Sequence, residues 1–121
     1  MTDKTKGRAI VTFARGWQTL VAVRSLGRRG VEVITGDQYP MTPASLSKYS
    51  TESFRYPDPS EEPEPFLDAL EEVVIKHKPD DGRPYVLMPI HKESYLIAKY
   101  RDRFEPHIKL VLPVIDQILQ V

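Results

Sequence analysis

The first third of the chain changes hydrophobic period twice, and this alternation restricts the fold more than any other feature of the sequence. Residues 9–14 form a continuous apolar run with β-branched members, which is typical of a strand covered on both faces. Residues 17–29 carry apolar side chains at helical spacing, and Gly30 follows where helices commonly end. Residues 31–37 then return to a strand pattern. The segment therefore predicts a β-α-β unit.

The remaining sequence continues the alternation after a proline- and serine-rich loop. The expected elements are a strand within 51–57, an amphipathic helix from Pro65 to about Lys78, a strand at 85–90, a helix over 91–104, a strand at 107–113 and a final helix with Ile115, Ile118 and Leu119. Strands that alternate with helices imply a parallel sheet covered on both faces. We therefore expect an α/β fold, a Rossmann-like three-layer sandwich with a mostly parallel five-stranded sheet. Its expected limits are residues 8–121, after a flexible N-terminus at 1–7.

The composition narrows the classes of function. The 121 residues suit one domain, and the 17 basic and 17 acidic residues balance, so we expect neither a nucleic-acid nor a membrane partner. The chain has no cysteine, which excludes disulfides and thiolate chemistry and fits a cytoplasmic location. It also lacks both a secretory signal and an apolar run near the roughly 20 residues that span a bilayer.

The turn after the first strand, "FARGWQ", is the first candidate site. It lacks the three glycines of a dinucleotide-binding loop, because Gln18 stands where a second glycine would fall, and no Walker motif exists. Gly16 nevertheless opens a helix, whose free N–H groups can meet an anionic substrate group, with Arg15 beside them. The alternative is that Gly16 only makes a tight turn and Arg15 is solvated.

Two further candidates follow from the rule that ligands of such sheets bind beyond the carboxyl ends of the strands. Asp37 ends the second strand, where it either binds a ribose or caps a turn. His91 and Glu93 follow the fourth strand, where they either contact a ligand or simply begin a helix, with Glu93 favouring the helix dipole.

Several other chemistries do not fit the sequence. His77, His91 and His107 lack the spacing of helix-borne metal ligands, so we expect no metal site. No nucleophile elbow of the form G-x-S-x-G is present. A phosphorylated receiver domain would need acidic residues at the end of the first strand, where this chain has "TFAR".

The layout resembles the domain that precedes the ATP-grasp domain in ATP-grasp ligases, a group that includes biotin carboxylase and the carbamoyl-phosphate synthetase large subunit. The resemblance lies in "RAIVTFARGWQTLVAVRSLGRRGVEVITGD", "PASLSKYSTESFRYPDP", "YVLMPIHKESYLIAKYRDRF" and "HIKLVLPVIDQILQV", from about Arg8 to Val121. The ATP-grasp domain itself, with its nucleotide and metal residues, has no counterpart here, so the resemblance implies a fragment of a longer ligase.

The resemblance implies an enzyme that joins a small-molecule carboxylate to an amine through an acyl-phosphate and releases ADP. ATP and Mg²⁺ would bind a downstream ATP-grasp domain, and this chain alone would bind neither and have no catalytic residue. Its substrate contacts would be Arg15, Gly16, Asp37, His91 and Glu93. Without the downstream domain, the chain is expected to form a homodimer through its C-terminal helix. The alternative is a stand-alone nucleotide- or NAD(P)-binding domain without catalysis.

Overall fold

The fold is an open parallel sheet with helices on both faces. The computed structural model describes residues 6–111. Its elements are β1 (Gly7–Val11), α1 (Trp17–Arg28), β2 (Val31–Asp37), β3 (Ser50–Arg55), α2 (Pro63–Lys76), β4 (Tyr85–Met88), α3 (Glu93–Lys99), a 3-10 turn (Arg101–Arg103) and β5 (Lys109–Leu110). No helix in this described part is long and apolar enough to cross a membrane.

The strands lie in the order β3-β2-β1-β4-β5, and every pair of neighbours is parallel. This confirms the expected α/β fold and five-stranded sheet. The chain builds the sheet outward from β1 to β3 and then crosses back to place β4 on the other side of β1. The β1–β4 junction is therefore the switch point of the sheet, where open α/β sheets have their binding crevice.

Successive residues of the central strands enter two different cores, one on each face of the sheet, as the two-residue period of a strand requires. One core joins Ile10, Ile34 and Leu87 of the sheet to Phe66 and Leu70 of α2 and Ile97 of α3. The other joins Val11 and Val33 to Val23 of α1 and Ala44 of the following loop, with Met88 packed against it. These two cores make the three layers that the sequence predicted.

The local signals that end the elements act as expected at several points. Gly30 follows α1 with a φ of +83°, a conformation that glycine adopts at little cost. Pro63 stands in the first turn of α2, where a missing N–H is tolerated. At the other end of α2, His77 Nε2 lies 2.8 Å from Glu52 Oε2 of β3, which gives this half-buried histidine a structural role.

The third helix differs from its prediction. The sequence predicts one helix over 91–104, but α3 ends at Lys99 and a 3-10 turn follows. Contacts distant in sequence hold this tighter turn: Arg103 Nε donates to Glu71 Oε1 of α2 at 2.8 Å, and Phe104 is fully buried. Helical periodicity persists across the break, so the apolar pattern alone does not reveal it.

The ends of the chain are described only in part. Gly7, the last residue of the segment expected to be flexible, belongs to β1. The expected C-terminal helix with Ile115, Ile118 and Leu119 lies outside the described residues, and so does the homodimer contact predicted for it.

Candidate functional site at the carboxyl edge of the sheet

The turn after β1 is centred on Phe13, whose backbone has a φ of +58°. This left-handed conformation costs a non-glycine residue about 1–2 kcal/mol, so surrounding contacts must hold it. The Phe13 N–H donates to the Tyr56 hydroxyl at 3.1 Å, and the Gly16 N–H donates to the Phe13 carbonyl at 2.9 Å. Tyr56, which directly follows β3, and Gly16, which directly precedes α1, thus fix the turn from two sides.

The ring of Phe13 leaves no room for a side chain at position 16, which is occupied by glycine. A Cβ atom at position 16 would lie 2.4 Å from Phe13 Cδ2, well inside van der Waals contact. The φ of Gly16 is an ordinary −85°, so the requirement is one of space. Gly16 also begins α1 with no side-chain cap and no acidic residue in the first turn. The ring leaves no room for a pyrophosphate to approach Gly16 from that side.

Asp37 caps the same turn. Its Oδ2 accepts from the Arg15 N–H at 2.9 Å, and its Oδ1 accepts from the Gln38 N–H at 2.5 Å. The Arg15 Nε lies 3.7 Å from Oδ2, and the side chain of Asp37 is only 1% exposed. Because both carboxylate oxygens already accept backbone N–H groups, this geometry corresponds to the turn-capping alternative and leaves little capacity for a ribose.

His91 and Glu93 approach Phe13 from the β4 side. His91 is exposed, has a φ of +69°, and stacks on the Phe13 ring with centroids 4.1 Å apart. Glu93 is fully buried; its Oε2 accepts from the Tyr56 hydroxyl at 2.5 Å, while its Oε1 has no hydrogen-bond partner among the described residues. Burial, followed by the negative charge of Glu93, raises the pKa of Tyr56, so this hydroxyl remains a donor near neutral pH.

A buried threonine joins the two turns directly. Thr12 Oγ1 accepts from the Ile90 N–H at 2.7 Å and donates to the Ile90 carbonyl at 3.1 Å. The Thr12 carbonyl in turn accepts from Thr19 Oγ1 of α1 at 2.8 Å. The turns after β1 and β4 therefore form one hydrogen-bonded unit across the switch point.

The surface beside this unit is concave. A cavity of about 540 Å³ lies between the start of α1 and the turn after β4, lined by Gln18, Ile90, His91, Lys92 and Tyr95 among others. Another cavity, of about 640 Å³, is lined by Tyr85 and His107 at the amino ends of β4 and β5, away from every predicted site residue. No group of three or more His, Asp or Glu in residues 6–111 is placed to hold a metal ion.

The five predicted site residues come together around a residue that sequence reasoning missed. Arg15, Gly16 and His91 each contact Phe13, while Asp37 caps its turn and Glu93 reaches it through Tyr56. Phe13 could have been suspected from its position in the turn. Tyr56 gave no comparable signal, because its partner Glu93 lies 37 residues away.

Comparison with known proteins supports the fold. No protein-family model matches the sequence, and no curated protein matches it significantly. Glycinamide-RNase-transformylase T from Mycobacterium tuberculosis matches 85% of this chain at 17% identity with a TM-score of 0.53. N5-carboxyaminoimidazole synthetase from Staphylococcus aureus, solved with ADP, matches 86% at 12% identity with a TM-score of 0.52.

The chain spans only 28% and 23% of the lengths of these two proteins. Both are ATP-grasp enzymes, and the match falls on their N-terminal regions. The predicted resemblance is confirmed at the level of the fold, which this chain shares with the matched parts of these two proteins.

Proposed function

We propose that the chain is the substrate-side domain of an ATP-dependent, ADP-forming ligase and is inactive alone. The observation that carries this proposal is the convergence of Arg15, Gly16, Asp37, His91 and Glu93 at the switch point of the sheet. Residues chosen from three separate strand ends meet around one turn, at the edge where ligands of such folds bind. The likeness to two ATP-grasp enzymes supports the same assignment.

The five residues divide into two roles. Arg15 and His91 keep accessible surface, so they contact a small-molecule substrate, the guanidinium pairing with its carboxylate. Gly16 and Asp37 hold the turn in place. Glu93 is buried and supports the same turn from within, through the Tyr56 hydroxyl.

ATP and Mg²⁺ belong to a downstream ATP-grasp domain in this proposal. ATP supplies the phosphoryl group that activates the substrate carboxylate as an acyl-phosphate, which the amine then attacks. The Phe13 ring over Gly16 supports this division of labour, because it obstructs the turn that would otherwise receive a nucleotide phosphate. The residues of this chain bind and orient the substrates.

Two measurements test the proposal. Calorimetry of the 121-residue chain with MgATP is expected to show no saturable binding, whereas carboxylate-dependent ADP release is expected when the chain is combined with the ATP-grasp domain that accompanies it in the same gene or operon. Tight, Mg²⁺-dependent ATP binding by the chain alone would overturn the assignment. A rise of several degrees in melting temperature with NAD(P) would favour the stand-alone nucleotide-binding alternative instead.

A further inference from the structure

A third cavity opens at the carboxyl ends of β2 and β3, away from the β1–β4 switch point. It has a volume of about 520 Å³, within the range of small-molecule sites. The loop after β2 forms one wall, and the sheet forms its floor. Thr35 and Asp37 of β2 alternate on the same face as Val33, and their partners in the strand pairing are Ser53 and Arg55 of β3.

Three large apolar side chains are exposed around this one cavity. Tyr39, Met41 and Leu46 line it and are 55%, 77% and 64% exposed. Together they form a larger exposed apolar surface than the isolated apolar side chains that proteins normally expose. Met41 also has a φ of +56°, so the backbone is held in a costly conformation at the cavity rim.

The cavity also carries positive charge. Arg55 is exposed and forms no ion pair with any residue in the described range 6–111. Its neighbour across the strands, Asp37, gives its carboxylate oxygens to two backbone N–H groups and lies beside the Arg15 guanidinium instead. Arg15 lies 4.8 Å over the Tyr39 ring as well, so two cations outweigh the one buried carboxylate at this place.

We propose that this cavity binds a small anionic molecule with a flat apolar body, independently of the ligase assignment. Arg55 pairs with the carboxylate or phosphate of the ligand. Tyr39, Met41 and Leu46 cover its apolar part, which removes their exposed surface from water. The buried Asp37 remains with the turn and does not contact the ligand.

The test uses naphthalene-1-acetate and its neutral counterpart naphthalene-1-acetamide, titrated into the ¹⁵N-labelled 121-residue chain. We expect the amide shifts to cluster at residues 39–46 and 53–55, with the acetate bound more tightly. The substitution Arg55→Gln should weaken acetate binding about tenfold and change acetamide binding by less than about twofold. Arg55→Lys should recover part of the loss, and Leu46→Asp should weaken both probes.

Three results would overturn the proposal. They are amide shifts confined to residues 90–95, which line the cavity beside the β1–β4 junction, equal affinities for the charged and neutral probes, and no saturable binding of either probe. Arg24→Gln on α1, which also removes an exposed arginine, is the matched control and should leave both affinities unchanged.

Discussion

The carboxyl edge of the sheet has two halves, the β1–β4 junction and the β2–β3 end, and they differ in whether their side chains are buried and hydrogen-bonded or exposed. At the β1–β4 junction, side chains are buried and joined by hydrogen bonds that run from Phe13 through Tyr56 to Glu93. At the β2–β3 end, the loop exposes Tyr39, Met41 and Leu46 around an open cavity. In the first half, the polar groups form hydrogen bonds that hold the backbone in place. In the second half, the apolar and cationic groups remain accessible to a ligand. Substitutions of the buried, hydrogen-bonded residues in the first half should therefore change stability, whereas substitutions of the exposed residues in the second half should mainly change binding.

The largest expected effect is that of Tyr56→Phe. It removes the only hydrogen-bond donor that the described residues give to the buried Glu93 carboxylate, and leaves the Phe13 N–H without its acceptor. We expect the free energy of unfolding to fall by about 3 kcal/mol, measured by urea denaturation. The matched control, Tyr85→Phe, leaves only the neutral Val74 carbonyl unbonded and should cost about 1 kcal/mol. Equal losses in the two variants would contradict the special role of Glu93.

The substitution Gly16→Ala should follow in size. The new methyl group would overlap the Phe13 ring, and displacing that ring costs about 2 kcal/mol. The same change made in a Phe13→Ala background should cost much less, because the obstructing ring is gone. A full cost in both backgrounds would show that the glycine is needed for its backbone instead of for space.

The stability of the protein at alkaline pH tests the role of the buried Tyr56 hydroxyl in a second way. Burial raises the pKa of Tyr56 above its ordinary value of about 10. Because the pKa of Tyr56 is higher in the folded protein than in the unfolded protein, its contribution to stability is fully present below pH 10. That contribution decreases as the pH rises further, by up to about 1.4 kcal/mol per pH unit for one tyrosine. Urea denaturation between pH 9 and 11 should therefore show a falling stability, with a shallower slope in Tyr56→Phe. Identical slopes in the unsubstituted protein and in Tyr56→Phe would show that another group causes the loss of stability.

The smallest effect is expected at the open half. Leu46→Ser replaces an exposed side chain and should change the free energy of unfolding by less than about 0.5 kcal/mol. A loss above about 1 kcal/mol would mean that Leu46 packs against the fold in solution, and the contrast between the two halves would fail.

The sequence predicted the fold class because strand and helix periods are local properties. The alternation through residues 9–37 requires no knowledge of distant contacts, and it indicated both β1–α1–β2 and the strand ends where Arg15 and Asp37 lie. The order of the strands was not readable, since pairing depends on crossover connections. Neither was the end of α3 at Lys99, which contacts between the following turn and α2 help to set.

The candidate site was predictable in position but not in detail. Its residues were found from the rule that strand ends face the crevice, and that rule says nothing about which side chains are used to hold the turn. Phe13 and His91 both have positive φ, and the sequence does not predict this because neither phenylalanine nor histidine favours that conformation as glycine does. The link from Tyr56 to Glu93 joins the residue after β3 to the first residue of α3, and it exists only after the sheet has assembled.

The double hydrogen bond between Thr12 and Ile90 joins positions 78 residues apart. A peptide that contained only the first β-α-β unit would include the glycine turn and Asp37, yet it would lack Ile90, the stacking partner His91 and the buried Glu93. The proposed recognition surface thus depends on residues from both halves of the sequence, and a search for the glycine turn alone in other sequences would not find the residues that fix its shape.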